Sequence, residues 1–246
     1  MERLDSSSFE PAFVEARFGM DEPAARISRE QSSLSLPPLI LEVPDSEGRP
    51  WRLEIRGIID RIDTRKAGKV TEAVVIDYKQ SLPVDTLKRE ISKGISLQLG
   101  IYMLALRDLT EIRPVGALYY SVAQKPIGPR DRVPEINRYG FRMKGIVAEG
   151  TGIAIDSSGA FLLGTKAKSM EELEEIMEET ERHILRYASA LAEGRIAPHP
   201  LEQSEGSACE GCEYADLCRF DPLIHPVRWI EKEQKDRAEG EANDTA

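Results

Sequence analysis

Residues 57–79 read GIIDRIDTRKAGKVTEAVVIDYK, and this stretch decides the fold. Isoleucine and valine are frequent toward both of its ends, a composition typical of strands. Its middle, residues 65–69, holds the glycine and the charged side chains of a hairpin loop. The sequence therefore predicts two antiparallel strands, one over 51–63 and the other over 70–79.

The predicted hairpin brings two acids and a lysine to one face of the sheet. If the hairpin is centred on the 67–68 peptide bond, Asp60 lies opposite Val75 and diagonal to Asp77, with Cβ atoms about 7 Å apart. Side chains alternate between the two faces of a strand, so Asp77 and Lys79 share the face of Asp60. A slip of one residue in the pairing would move Asp60 to the other face.

These three residues have the composition of a metal-dependent hydrolytic site. Two carboxylates can bind one Mg²⁺ or Mn²⁺ ion, and a lysine can position a water molecule or offset negative charge. Hydrolysis of a phosphodiester with a metal ion uses these groups. The alternative is a solvated strand end on which Asp60 pairs with Arg61 and Asp77 pairs with Lys79. The apolar neighbours of both acids argue against it, because a buried carboxylate is costly unless it is paired or metal-bound.

The rest of the chain predicts a mixed α/β sheet flanked by helices. The early strands are too closely spaced for crossover helices, so we expect them to be antiparallel. Apolar spacing and turn residues indicate, in order, a strand at 39–43, a helix at 95–109, a strand at 115–122, a loop at 123–140 and a helix at 170–191. The predicted segments are an extended lead-in with a turn of helix (1–36), an α/β core (37–195), a cysteine-bearing segment (196–220) and a charged tail (221–246).

Three motifs together resemble those of the RecB-type PD-(D/E)XK nucleases. They are the GIIDRID run, the VIDYK run and the QLGIY run that begins at Gln98, in the order expected of that family. The resemblance implies a restriction-endonuclease-like fold. It also implies that Asp60 and Asp77 bind Mg²⁺ or Mn²⁺ and that Lys79 is catalytic.

Gln98 and Tyr102 are the polar residues of the third motif. They are four residues apart and share one helix face, from which an amide and a phenol could reach a phosphate or a base. The resemblance assigns both to DNA contacts; the alternative is a helix face with two polar residues toward solvent. Residues 9–19 are similar to the B subunits of AddAB-type helicase–nucleases. This family often carries a glutamate on an early helix, which would be Glu15.

Cys209, Cys212 and Cys218 follow a C-x2-C-x5-C spacing that is typical of metal or cluster ligands. The resemblance implies a [4Fe–4S] cluster held by these cysteines and by a fourth one far upstream. The sequence contains only three cysteines. The resemblance therefore implies that the chain is the C-terminal piece of a longer protein and that its cluster is incomplete. The alternative is a Cys₃His zinc site that His199 or His225 completes.

Charge does not select a partner for the chain. The formal net charge is −10, but acids are concentrated in 169–183 and 231–246, and the remainder is close to neutral. A nucleic-acid groove elsewhere is therefore neither excluded nor supported. No apolar run reaches the roughly 18 residues of a membrane span. The first residues carry no apolar signal segment, so we expect a cytoplasmic protein with no membrane partner.

The sequence predicts a metal-dependent DNA exonuclease domain that hydrolyses phosphodiester bonds during end processing in recombinational repair. It would be part of a longer AddB-like subunit with a helicase–nuclease partner. It would hold a single strand or a duplex end with little base specificity. The alternatives are a catalytically weak or inactive nuclease-like module that binds DNA ends or a partner subunit, and a zinc-binding interaction domain.

Overall fold

A computed structural model describes residues 8–20, 34–44, 47–80, 87–122, 143–153, 165–203, 206–207 and 209–229. The chain divides into two compact units, residues 1–193 and residues 194–246. The predicted loop at 123–140 and the part of the charged tail beyond residue 229 lie outside the described residues.

The first unit is built on a mixed sheet. Its strands are β1 (Glu10–Phe18), β2 (Ser35–Leu36), β3 (Leu39–Pro44), β4 (Pro50–Ile55), β5 (Gly57–Ala67), β6 (Val70–Lys79), β7 (Ile112–Ser121), β8 (Met143–Ala148) and β9 (Thr165–Lys168). Seven of them form one sheet in the order β2-β1-β5-β6-β7-β8-β9, and β3 and β4 form a separate hairpin. β5 and β6 are antiparallel, whereas β6 and β7 are parallel.

Helices pack against this sheet, which confirms the predicted fold class. In the described part of the unit they are α1 (Leu87–Ser92), α2 (Gln98–Leu109) and α3 (Met170–Ala192). α1 and α2 lie in the connection from β6 to β7, α2 packs on β7, and α3 packs on α1 and α2. α3 begins with a capping box in which Ser169 and Glu172 exchange hydrogen bonds.

The turn of the β5–β6 hairpin is shorter than predicted. The strands run to Ala67 and resume at Val70, so the loop is Gly68 and Lys69 and not the five residues 65–69. Gly68 has a φ of 64°, a conformation that glycine adopts without steric cost and that tight hairpin turns require.

The turn is also centred one residue later than predicted, and this changes the pairing of the two strands. Ile62 pairs with Val75 and Arg61 with Ile76, so the predicted pairing of Asp60 with Val75 is wrong by two residues. Because side chains alternate with a period of two, an even shift leaves each one on its predicted face.

The predicted lead-in forms a strand inside the sheet. β1 lies between β2 and β5, and the described residues 8–20 include no turn of helix. The predicted strand over 51–63 is in fact two strands, because β4 ends at Ile55 and β5 begins at Gly57. A Cβ at Gly57 would lie 2.6 Å from Phe18 Cζ, so only glycine fits beneath that ring.

The second unit is small in its described part. It contains β10 (Leu201–Gln203), β11 (Gly206–Ser207) and β12 (Arg228–Trp229), which form one sheet, and the short helix α4 (Ala215–Cys218). Nowhere in the described ranges of the chain is a helix long and apolar enough to cross a membrane.

Candidate active site

Asp60 and Asp77 lie at the end of the β5–β6 hairpin that is remote from its turn. Continuing the pairing of Arg61 with Ile76 by one residue sets Asp60 directly opposite Asp77. Opposite residues have Cβ atoms about 5 Å apart, against about 7 Å for the predicted diagonal. The backbone N–H of Tyr78 donates to Asp60 Oδ2 at 2.8 Å, which fixes that carboxylate beside β6.

Arg61 does not neutralise these acids. Its Nε and Nη2 donate to the two oxygens of Asp63, each at 2.6 Å, and both side chains are buried. Arg61 and Asp63 lie on the face opposite to Asp60, because successive strand residues alternate. The alternative in which Asp60 pairs with Arg61 is therefore wrong.

Gln98 connects the lysine to the buried acid. Its Oε1 accepts a hydrogen bond from Lys79 Nζ at 2.9 Å, and its Nε2 donates to Asp77 Oδ1 and to the hydroxyl of Tyr102, both at 2.8 Å. These four side chains form one network, here called the Gln98 network. Tyr102 is only 7% exposed, so the alternative of a solvent-facing polar pair is wrong for that residue.

Lys79 lies beside the second oxygen of Asp77. Its Nζ is 2.7 Å from Asp77 Oδ2, and the lysine side chain is 37% exposed while that of the aspartate is 3% exposed. The contact is a short ion pair in which Lys79 stabilises the charge of Asp77, although the geometry at the buried Oδ2 is not that of a standard hydrogen bond. Lys79 is thus the member of this ion pair that faces solvent.

Burial governs protonation in this network. It raises the pKa of the Asp77 carboxyl above its ordinary value; the Lys79 ammonium acts in the opposite direction, and the charge of Asp60 raises the pKa further. Burial also raises the pKa of Tyr102, and it raises the pKa of Tyr119 to about 12. Both phenols therefore keep their protons at neutral pH. A buried carboxylate that is short of partners is well suited to a bound cation.

Tyr119 is a member of the site that no sequence pattern predicted. It pairs with Asp77 across the parallel strands β6 and β7, and its ring centroid lies 5.8 Å from Lys79 Nζ. Its hydroxyl is 2.9 Å from Ser96 Oγ. No motif marks this residue, because a tyrosine in an apolar strand is usually part of the core. Only the pairing of β7 with β6 brings it to the site.

Glu15 lies in strand β1, and the expectation that it belongs to a helix is wrong. Its two neighbours pair with Arg61 and Ile59, so Glu15 is level with Asp60. The side chain is exposed, and the backbone has a φ of 49°. This left-handed conformation costs a non-glycine residue about 1–2 kcal/mol, and such strain is concentrated at functional sites.

The acids of the site fit a hard divalent cation. Mg²⁺ is commonly held by one or two carboxylates, with water and substrate phosphates as the remaining ligands. Asp77 supplies a buried oxygen without a hydrogen-bond partner, and Asp60 faces it from the next strand. Within the described ranges no group of three or more His, Cys, Asp or Glu side chains could hold a metal ion. A cation here would therefore need ligands from water or substrate.

The three cysteines do not form a metal-binding group within the described residues. Cys209 is half-buried, Cys212 and Cys218 are exposed, and no disulfide joins them. They are among the described residues, in which no metal-binding group is present. The predicted iron–sulfur cluster has no support from this arrangement, and neither has a zinc site completed by His199 or His225.

The sequence carries a recognisable family pattern over most of its length. The model of the PD-(D/E)XK nuclease superfamily matches residues 2–219, which include the Gln98 network and the cysteines. The chain belongs to this superfamily. The resemblance inferred from three motifs is confirmed, and the mixed sheet agrees with the fold that the PD-(D/E)XK nucleases share with restriction endonucleases.

Curated relatives are named as the B subunit of an ATP-dependent helicase/deoxyribonuclease. The chain is 29% identical to the one from Desulforudis audaxviator, over 72% of this chain and 18% of the relative. It is 29% identical to the one from Natranaerobius thermophilus, over 88% of this chain and 20% of the relative. It is 26% identical to the one from Symbiobacterium thermophilum, over 96% of this chain and 21% of the relative. The chain thus spans about a fifth of the length of these relatives.

Proposed function

We propose that this domain is a deoxyribonuclease that depends on Mg²⁺ or Mn²⁺. It acts as an exonuclease, hydrolysing phosphodiester bonds successively from a DNA end. The observation that carries the proposal is the Gln98 network, in which the buried Asp77 carboxylate lies near Asp60 and forms an ion pair with the more exposed Lys79. A buried acid with a raised pKa beside a partly exposed cation, as Asp77 beside Lys79, is typical of catalytic sites.

Lys79 is the catalytic cation in this proposal. Its ammonium lies between Gln98 Oε1 and Asp77 Oδ2, and it is the more exposed partner of its ion pair with Asp77. From there it can donate to a phosphate oxygen or orient the attacking water as negative charge develops.

Gln98 and Tyr102 have different roles in this proposal: Gln98 positions other side chains, and Tyr102 contacts DNA. Both ends of the Gln98 amide are already bonded to Lys79, Asp77 and Tyr102, so we assign Gln98 to positioning rather than to the predicted DNA contact. The Tyr102 hydroxyl accepts from Gln98 and keeps its own proton, which it can donate to a phosphate of the bound strand.

Asp60 and Asp77 would hold the metal ion, which when bound polarises a phosphoryl oxygen and acidifies a water molecule. Glu15 is level with Asp60 on the neighbouring strand. Its side chain is exposed, and no three acids of the described residues form a metal-binding group. We therefore assign Glu15 to this site through a water molecule or a substrate phosphate and not as a direct metal ligand.

Cleavage of end-labelled linear DNA by the purified chain tests the proposal. We expect products only with Mg²⁺ or Mn²⁺, no cutting of a closed circle of the same sequence, and a loss of more than about a hundredfold in Asp77→Asn. Asp108→Asn is the matched control, because Asp108 is an acid of α2 that pairs with Arg107 at the surface. DNA binding without cleavage, unaffected by EDTA and by Asp77→Asn, would support the non-cutting module instead.

We also propose a helicase–nuclease partner and a role in recombinational repair. The support is the name of the relatives, of which this chain matches about a fifth. ATP-dependent degradation of long linear duplex by the full-length protein with its helicase partner tests this, and the degradation should be lost in Asp77→Asn. For the cysteine segment we propose a structural [4Fe–4S] cluster that is supported by the C-x2-C-x5-C spacing alone, since the three cysteines form no metal-binding group within the described residues.

A further inference from the structure

Three groups surround the Lys79 ammonium. Asp77 Oδ2 lies at 2.7 Å, Gln98 Oε1 at 2.9 Å and the centroid of the Tyr119 ring at 5.8 Å. A divalent cation bound at the acids would compete with the lysine for Asp77, because it prefers carboxylate oxygens. The ring offers no oxygen ligand on its face, so its attraction for the ammonium does not depend on whether a cation is present.

The Tyr119 ring is held in a fixed position. It is 2% exposed, and it pairs with Asp77 along β6 and β7. Its hydroxyl is 2.9 Å from Ser96 Oγ, two residues before Gln98. The same residue therefore contacts the catalytic strand, the lysine and the segment that leads into α2.

We propose that Tyr119 is a positioning residue whose ring face holds the Lys79 ammonium in place when Asp77 is engaged by a divalent cation. The proposal rests on the proposed function. An ammonium within about 6 Å of a ring centroid is attracted by the electrons of the ring face. The ring thus keeps Lys79 directed at the substrate while its ion pair with Asp77 is interrupted.

Steady-state kinetics on end-labelled DNA test the catalytic part. We expect Tyr119→Leu to lower kcat about tenfold, equivalent to about 1.4 kcal/mol, with KM for DNA nearly unchanged. Tyr119→Phe keeps the ring and should lose less than about threefold. If the leucine variant folds poorly, Tyr119→Met fills more of the same volume without a ring. Tyr120→Leu is the control, because Tyr120 lies on the other face of β7 and packs against Tyr78.

An NMR measurement tests the contact without relying on catalysis. The protein is labelled with ¹³C at the lysine ε-carbons, and the Lys79 resonance is identified by its absence in Lys79→Arg. Spectra are then recorded with and without Mg²⁺. We expect an upfield ring-current shift in the wild type and Tyr119→Phe in both conditions. The shift should be absent in Tyr119→Leu and unchanged in Tyr120→Leu.

A Lys79 resonance that is the same in Tyr119→Leu and in the wild type would overturn the proposal. An equal loss of kcat in Tyr119→Phe and Tyr119→Leu would also overturn it, since the hydroxyl and not the ring would then matter. A wild-type chain with the shifted resonance but no metal-dependent cleavage would refute the nuclease function and the catalytic role of Tyr119, while supporting the contact with Lys79.

Discussion

At the scale of single residues, Asp77 shows the conflict between stability and chemistry at this site. It is buried within the Gln98 network, and one of its oxygens has no hydrogen bond of standard geometry within the described residues. A charged carboxylate in such surroundings is costly. The same shortage of partners is what makes the oxygen available to a cation.

Replacing Asp77 with asparagine should stabilise the metal-free protein. The pKa of Asp77 in the folded state lies above its ordinary 3.8. The native state therefore binds the proton more tightly than the unfolded state, and ionisation lowers the free energy of unfolding. The gain in the free energy of unfolding of Asp77→Asn should be greatest at neutral pH. It should vanish below pH 3.8, where the carboxyl of the wild type is protonated in both the folded and the unfolded state. Thermal unfolding in EDTA across this pH range measures it, and a lower midpoint for the variant at neutral pH would contradict the prediction.

Glu15 makes a second prediction at this scale, because its φ of 49° is a conformation that glycine adopts freely. We expect Glu15→Gly to unfold at the same temperature as the wild type or higher, and to cleave DNA at least tenfold more slowly, a loss equivalent to about 1.4 kcal/mol. Glu15→Gln should lose activity without the gain in stability. Calorimetry and DNA cleavage on the same samples test both effects; full activity in Glu15→Gly would remove this acid from the site.

At the scale of elements, the position of α2 determines where Gln98 and Tyr102 stand. α2 packs closely on α3 at Gly100, where an added Cβ would lie 2.2 Å from Thr180 Oγ1 and 2.8 Å from Thr180 Cγ2. The absence of a side chain at Gly100 therefore sets the separation of the two helices. A change in that separation would move Gln98, which lies only two residues away.

Gly100→Ala is expected to destabilise the protein by about 1–3 kcal/mol, the usual effect of overpacking, although alanine is the better helix former. Cleavage should also fall, because Gln98 shifts. Thr180→Ala should restore both properties to Gly100→Ala, since within the described residues the Thr180 hydroxyl donates to Ile176 O of its own helix and to no other element. Urea unfolding and kcat measure the two effects. A Gly100→Ala variant that is as stable and as active as the wild type would show that the helices can separate without consequence.

Local sequence pattern was sufficient for some elements and not for others. Strand β6 was predicted from its apolar run, and Asp60 and Asp77 were placed on one face even though the pairing was wrong by two residues. Local pattern was insufficient where distant segments meet. Tyr119 comes beside Asp77 through β7, whose pairing with β6 depends on a long connection and leaves no local periodicity.

At the scale of the whole molecule, the network and the cysteines belong to different compact units. The order of strands and helices predicted the fold class of the first unit. The cysteine spacing could not predict the geometry of the second, because three thiolates specify a cluster only together with a fourth ligand.

Anaerobically purified chain is expected to contain iron below the level of one complete cluster, since the sequence holds three cysteines. Replacing Cys209, Cys212 and Cys218 with serine should remove the iron and its visible absorbance, while metal-dependent DNA cleavage persists. Elemental analysis and the cleavage assay test this prediction. Zinc in place of iron would refute the cluster, and loss of cleavage in the triple variant would show that the two units depend on each other.

The hydrogen bond from Tyr78 N–H to Asp60 Oδ2 matters for anyone who builds a null allele of this gene. Asp60 accepts this bond at the end of the strand pair and also belongs to the proposed metal site, so Asp60→Ala would disturb the local structure and the proposed chemistry together. A phenotype from that allele could reflect a depleted protein. Asp77→Asn keeps an oxygen to accept from Gln98 and is expected to persist in cells, which makes it the cleaner way to separate enzymatic loss from loss of the polypeptide.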